Sequence, residues 1–431
     1  MYLLYDLILL ASSLILVPYY LLRGWRYGKS RRGIRERLGF YLPERLSSLA
    51  GRPIIWIHAV SVGETRAAIP LIKALKQDFP EHALVLSNVT ETGHAIAGEI
   101  REIDLCLFFP FDLSWVVRRA LRQVRPSVIV IVETEIWPNF VRLAHRERIP
   151  VLLVNGRISD RSFPRYLRLR PLLRPILEYF AAFCMQTDQD AQRICAIGAP
   201  EKLVEVTRNL KFDMQTSSSV SAAAGDLREG FRLPADTLVW VAGSTHAGEE
   251  EIVAETYRRL LDAGNKLVLV LVPRHPERCR ILATQLTARG FAVTLRSRID
   301  ARSEPLRQGE ILLVDTLGEM LKLYAAADVV FLGGSLTPVG GHNVLEASLL
   351  RKPVVFGPHM NNFREISRLL LKVGGGVQVA DAEELYRTLD QLVADPELRQ
   401  RMGEGGYALL QRNVGATRHT VTVIRRTMEA A

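Results

Sequence analysis

Apolar and polar positions follow two periods along this chain, and segments of each period alternate. From residue 53, short apolar runs rich in β-branched residues appear at 53–59 (PIIWIHA), 83–88, 104–109, 127–133 (SVIVIVE), 150–154 and 181–186. Between them lie stretches with apolar residues three and four apart, such as 65–78 (TRAAIPLIKALKQD) and 137–147. Unbroken apolar runs suit strands covered on both faces, and the helical stretches supply the crossovers that parallel pairing needs. At 213–226 (DMQTSSSVSAAAGD) the pattern stops, and this Ser- and Ala-rich segment reads as a linker. A second series follows at 237–242, 266–272, 291–296, 310–315, 328–332 and 353–356, with helices expected at 249–263, 318–327, 343–350 and 363–373. Residues 382–430 read as helical throughout.

The fold class expected is therefore α/β, with two Rossmann-like domains at 49–212 and 227–405, a linker at 213–226 and a helical tail at 406–431. This is the layout of GT-B glycosyltransferases, with ligands expected beyond the carboxyl ends of the strands in a central cleft. Epimerases and phosphorylases share the layout, so the fold alone does not select a function.

Residues 1–22 (MYLLYDLILLASSLILVPYYLL) break the pattern, being apolar except for Asp6 and the Ser12–Ser13 pair. About 20 apolar residues span a bilayer as a helix, so the segment is expected to be a membrane anchor. A basic juxtamembrane segment, 23–48, follows, with Arg23, Arg26, Lys29, Arg31, Arg32, Arg35 and Arg37 at its start. Charge after the apolar run, with no small-residue cleavage site, argues against a signal peptide and places the remainder in the cytoplasm. A helix lying in the interface, with Asp6 and Pro18 marking its edges, remains open. The net charge of +10 fits an anionic partner, be it nucleic acid, anionic lipid or nucleotide. Four scattered cysteines, Cys106, Cys184, Cys195 and Cys279, lack metal or redox spacing and read as inert thiols of a reducing compartment.

Five motifs carry candidate chemistry. HAVSVGE (His58–Glu64) stands where a strand turns into a helix. There Gly63 permits a tight turn, and Glu64 is either a general base or merely the closing residue of a Ser61–Glu64 capping box. VETEIWPN sets Glu133 and Glu135 at a strand end, where one carboxylate can cap a helix and the other has no structural task. NLKFD places Lys211 beside the linker, suited to a leaving phosphate. LVPRHPER brings Arg274 and His275 to a strand end, where a guanidinium grips phosphate. FLGGSLTPVGGHNVLEAS joins Gly pairs to a helix start, with Glu346 one turn inside that helix and in reach of ribose hydroxyls. DTLGEM (Asp315–Met320) puts another Gly at a strand-to-helix turn in the same half. The lone D-x-D, Asp188–Asp190, is better explained by N-capping, and no metal site or P-loop is expected.

These motifs, in this order, resemble those of the bacterial 3-deoxy-D-manno-octulosonic acid (Kdo) transferases, over nearly the whole chain. The resemblance implies a metal-independent, inverting enzyme without cofactor that moves Kdo from CMP-Kdo to the lipid A precursor in lipopolysaccharide synthesis. It implies Glu64 as the proton acceptor, and Glu133 and Lys211 as stabilisers of the transition state. CMP contacts are implied at Pro273 and Arg274, at Leu317, Gly318 and Glu319, and at Asn343, Val344, Leu345 and Glu346. Val344 stands where the family often has Pro, and the loop Thr337–Val339 departs from the family pattern. The partners implied are the donor, the lipid acceptor, held by the N-terminal domain, and anionic inner-membrane lipids, with no nucleic acid. A sugar-nucleotide epimerase without an anchor, or a non-catalytic membrane module that binds nucleotide or lipid, remains the alternative.

Overall fold

The computed structural model describes residues 2–12, 33–213 and 224–430. The second part of the anchor and the start of the basic segment, at 13–32, and residues 214–223 of the linker lie outside the described residues. Two compact units emerge, one from residues 1–213 with 413–431, the other from residues 214–412.

In the first unit the strands are β1 (Ile54–His58), β2 (Ala83–Asn88), β3 (Leu105–Phe108), β4 (Val128–Val132), β5 (Val151–Gly156), β6 (Ala182–Met185) and β7 (Val204–Val206). They form a parallel sheet in the order β3-β2-β1-β4-β5-β6-β7. β1 and β4 are neighbours, Ile55 facing Val128 and His58 facing Ile131, and the chain leaves them in opposite directions. A crevice at such a reversal point lies at the strands' carboxyl ends, where the HAVSVGE and VETEIWPN motifs begin. Strand side chains are buried on both faces, Trp56, Val85, Ile129 and Leu153 in one layer, Ile55, Leu84, Val130 and Leu152 in the other.

The second unit repeats the plan with β8 (Leu238–Thr245), β9 (Leu267–Pro273), β10 (Val293–Leu295), β11 (Ile311–Leu313), β12 (Val329–Leu332), β13 (Val354–Phe356) and β14 (Gly376–Gln378). Their order is β10-β11-β9-β8-β12-β13-β14, with the reversal between β8 and β12.

Several expectations need correction. The edge strands β7 and β14 were not anticipated; Glu205 interrupts the first, and Gly376 and Gln378 leave the second without an apolar run. The linker expected to 226 already gives way to a helix at Ala224–Gly230. Residues 382–430 form three helices, and the last, Ala416–Glu429, packs in the first unit. There Ala416, Val421, Val423 and Ile424 join Ile55 and Leu71 in one core layer. Asp213 accepts the Gly415 and Thr417 N–H groups, fastening that helix start.

Residues 2–12 are helical and lie on the first unit. Asp6, 9% exposed, accepts the Ser114 N–H at 3.0 Å and the Asn139 Nδ2–H at 2.8 Å. The Tyr5 hydroxyl donates to Asp112 at 3.1 Å, and the Arg142 guanidinium covers the Tyr2 ring. Asp112 also accepts the Asn139 and Phe140 N–H groups, capping the helix Pro138–Arg146. Leu3, Leu4, Leu7 and Ile8 are left exposed. Among the described residues no helix is long and apolar enough to cross a membrane. The four cysteines form no disulfide, and burial pushes Cys184 up to about 12 and Cys106 and Cys279 to about 11.

Candidate active site

The first cluster occupies the reversal point between β1 and β4. Ser61, extended at φ −122°, caps the helix Val62–Asp78 by accepting the Glu64 N–H. The Glu64 carboxylate accepts the Val60 N–H at 2.6 Å through Oε2 and the Ser61 hydroxyl at 3.0 Å through Oε1. Glu64 therefore does close a variant of the capping box, reaching one residue beyond the cap. That task does not use up the carboxylate, because its surroundings hold its proton tightly. Burial raises its pKa to about 7; Glu133 and then Glu135 push the same way, against the Val60 and Ser61 hydrogen bonds.

Gly63 corrects an expectation. It is the second residue of the helix and has no left-handed φ, so no tight turn requires it. A Cβ there would meet only Ser61 Oγ, at 3.8 Å, an ordinary contact, so the space does not require glycine either.

Glu133 is held at φ +62°, a left-handed conformation that a non-Gly residue adopts at a cost of about 1–3 kcal/mol. Its N–H donates to the Val154 carbonyl at 2.8 Å. Next to it, Thr134 exchanges two hydrogen bonds with Arg157, donating at 2.5 Å and accepting at 2.9 Å. The bend is held by bonds to β5 and the loop after it, and Glu133 is close enough to Glu64 for its charge to act on it. Glu135 is raised too, by burial and then by Glu133. His58, the first residue of its motif, is fully buried and held neutral, its pKa lowered to about 3. It stacks on Phe109 and has no access to serve as a base.

Lys211 stands on a turn that packs against the helix Val62–Asp78 and lies near the ends of β5 and β6. Its turn, Leu210–Asp213, is held by Asn209 Oδ1, which accepts the Lys211 N–H at 2.9 Å. Asn155 Oδ1 accepts the Leu210 N–H at 3.1 Å, and Asn209 donates to Gln186 at 2.9 Å.

In the second unit the expected nucleotide contacts fall after three of four neighbouring strands, β11, β9 and β12; β8 lies between the last two. Leu317 (81% exposed), Gly318 and Glu319 follow β11, and Glu319 pairs with Arg296 at 2.9 Å. Pro273 ends β9, and the Arg274 N–H donates to the Thr245 carbonyl at 2.9 Å. After β12, Asn343 Oδ1 accepts the Leu345 N–H at 3.1 Å, and its Nδ2 lies 3.4 Å from Glu346. Val344 and Leu345 are fully buried, and their side chains pack into the unit. The helix expected at 343–350 is only Leu345–Leu349, and Glu346 is its second residue rather than a turn inside it. The Gly-rich loop also packs against protein more than expected. A Cβ on Gly333 would lie 2.5 Å from the backbone of Ser244 and Thr245, and one on Gly341 2.3 Å from Met360.

Two residues here escaped the sequence reading. Glu249, fully buried, accepts four backbone N–H groups: His246 at 2.9 Å, Gly334 at 2.7 Å, and Ser335 and Leu336 at 2.9 Å each. It ties the loops after β8 and β12 together. His246 Nε2 lies 3.0 Å from His342 Nε2. The available signal was the run GSTHAGEE directly after an apolar strand, parallel to SVGE in the first half.

Two parallel sheets, each with a reversal point at which candidate residues gather, define the class as a GT-B-like α/β fold. S. aureus MnaA in its UDP co-structure shares the fold at a TM-score of 0.56 and 16% identity, over 88% of this chain and 98% of that one. The sequence narrows the class. A family described as 3-deoxy-D-manno-octulosonic-acid transferase matches residues 32–214. The 3-deoxy-D-manno-octulosonic acid transferase of Haemophilus influenzae is 33% identical over 428 residues, 98% of each chain. That of Bordetella pertussis is 34% identical over 431 residues, 95% of this chain and 96% of that one. The chain belongs to the 3-deoxy-D-manno-octulosonic acid transferase family, and it is a glycosyltransferase.

Proposed function

We propose that the protein transfers Kdo from CMP-Kdo to the lipid A precursor, with inversion at the anomeric carbon. The observation that carries this reading is Glu64, a carboxylate fixed by Ser61 and Val60 and made basic by burial and by Glu133. An acceptor hydroxyl gives its proton to Glu64 as its oxygen attacks the anomeric carbon; the bond from that carbon to the phosphate oxygen breaks, and CMP leaves. Base catalysis of this kind contributes roughly 10²–10⁴-fold. Glu133 favours the oxocarbenium-like transition state and Lys211 the leaving phosphate. Pro273 and Arg274, the segment Leu317–Glu319, and the segment Asn343–Glu346 hold the nucleotide, through the Arg274 guanidinium, backbone N–H groups and the Glu346 carboxylate.

A lipid acceptor gives the N-terminus its purpose. The proposed seat is the cytoplasmic face of the inner membrane, on anionic lipid, with residues 1–22 as the anchor and 23–48 as its basic collar. Asp6 binds the domain while Leu3, Leu4, Leu7 and Ile8 face outward, which supports an interfacial seat for this part of the anchor. Exposed Leu167, Leu169 and Leu172, set among Arg165, Arg168, Arg170 and Arg174, add a second apolar and basic surface.

The direct test is incubation of the purified protein with CMP-Kdo and lipid A precursor, reading product masses. Addition of one or more Kdo residues is expected. No mass change, or turnover of a UDP-sugar without lipid, would contradict the reading.

A further inference from the structure

The VETEIWPN motif begins at the candidate site and ends in the interior of the first unit. At its start the Glu133 N–H is bonded to Val154; at its end Asn139 is fully buried. Asn139 Nδ2 donates to Asp6 at 2.8 Å and to the Asp112 carbonyl at 2.7 Å. Its Oδ1 accepts the Ser114 hydroxyl at 3.1 Å and the Arg142 guanidinium at 3.0 Å. An amide has two N–H donors and two lone pairs, so this side chain is fully used within the protein. Asn139 therefore closes the far end of the loop and has nothing left for substrate. Between the two ends, the Trp137 ring lies 6.2 Å from that of His58 and 5.2 Å from that of Phe109, centroid to centroid. The stretch Glu133–Trp137 is thus held from both sides, and it contains both carboxylates that act on Glu64.

One partner at the buried end comes from far away in the sequence. Asp6 is the only charged residue of 1–22, and a carboxylate in an apolar helix is costly in lipid or in a protein interior unless it is bonded. Here it is bonded, to Asn139 and to the Ser114 N–H at 3.0 Å, while Tyr5 of the same helix donates to Asp112 at 3.1 Å. A tether that only kept the enzyme near lipid would need no bond to this loop.

We propose that the helix of residues 2–12 is also a positioning element for the catalytic loop, with Asp6, through Asn139, holding Glu133 and Glu135 against Glu64. The inference rests on the reading of Glu64 as the base. Without Asp6, Asn139 keeps the Asp112 carbonyl but loses its charged acceptor, and the Ser114 N–H loses its acceptor as well. The far end of the loop then relaxes, and Glu133 and Glu135 withdraw from Glu64. A misplacement of about 1 Å, even from a change far from the chemistry, can cost about 10²-fold in rate.

The test compares Asp6→Ala with Asp6→Asn in the full chain. Enzyme and acceptor share detergent micelles, so that seating on a membrane does not limit the rate. Asn keeps an oxygen that can accept both N–H groups, and Ala has none. Asp6→Ala should lower kcat for Kdo transfer roughly 10-fold with the KM for CMP-Kdo unchanged, and Asp6→Asn should stay near wild type. The titratable groups facing Glu64 are Glu133 and Glu135, both of which raise it, so their withdrawal fixes a sign. By carbon-13 NMR the Glu64 carboxyl should titrate at lower pH in Asp6→Ala and at the wild-type position in Asp6→Asn. A wild-type kcat and titration in Asp6→Ala overturn the inference, even if the unfolding temperature falls, because the helix is then a tether alone. Equal loss of rate in both variants with the Glu64 titration unmoved overturns it too. Transfer retained in Glu64→Gln would instead remove the base reading on which the inference stands.

Discussion

The two units place a glutamate at the same kind of position, after the first strand of a sheet's reversal point, and use it in opposite ways. Glu249 accepts four backbone N–H groups, and its lone pairs are spent on holding two loops. Glu64 accepts one N–H and one hydroxyl, and it faces two further carboxylates. Both are largely buried, so burial does not separate a structural carboxylate from a reactive one. The number and charge of the neighbours do.

The largest expected contrast comes from making the same Glu→Gln change at both positions. Glu64→Gln should reduce transfer about 10²–10⁴-fold while leaving the affinity for CMP and the fold intact. Glu249→Gln replaces an acceptor oxygen with an NH₂ group facing two N–H donors, at about 1–3 kcal/mol for each group left unsatisfied. It should lower the unfolding temperature of the second unit and raise the donor KM more than it lowers kcat. Steady-state kinetics and scanning calorimetry on both variants check the contrast, which fails if each behaves like the other.

The next effect is on pH dependence. The base form of Glu64 predominates above about pH 7, so transfer should decline as pH falls through that value. Glu133→Gln removes a carboxylate that raises Glu64, so the acidic limb of kcat/KM should move to lower pH. Stability has a related sign. The folded chain keeps the Glu64 proton up to about pH 7, whereas the unfolded chain releases it near the ordinary 4.5. Glu64 therefore destabilises the fold increasingly as pH rises through that window, and Glu64→Gln should remove the dependence, as urea unfolding at several pH values would show.

The smallest effect belongs to Ser61. Ser61→Ala removes the helix cap, worth about 0.5–2 kcal/mol, and the hydroxyl that stabilises ionised Glu64. The limb should then move up in pH, opposite to Glu133→Gln. The same pH–rate series reads both signs.

The sequence carried the central strands because they are buried on both faces and leave unbroken apolar runs. It missed β7 and β14, where Glu205 in the one and Gly376 and Gln378 in the other leave no apolar run. The return of the helix Ala416–Glu429 to the first unit was also illegible, because an amphipathic helix does not state which core it covers. At the site, Ser61 and Glu64 were recognised as a capping box or a base, and the geometry shows that one carboxylate caps while burial and two carboxylate neighbours make it basic. The left-handed bend at Glu133 arises from bonds to β5 and the following loop, a pairing that local pattern does not contain. Glu249 and His246 escaped for the same reason: their partners lie about ninety residues on, after β12.

The central claim is that Glu64 is a poised base, and direct titration of its side-chain carboxyl tests it most closely. Carbon-13 NMR of the full chain, with the resonance assigned by its loss in Glu64→Gln, should give a midpoint near 7, falling in Glu133→Gln. A midpoint at the ordinary 4.5, unmoved by Glu133→Gln, would contradict the account.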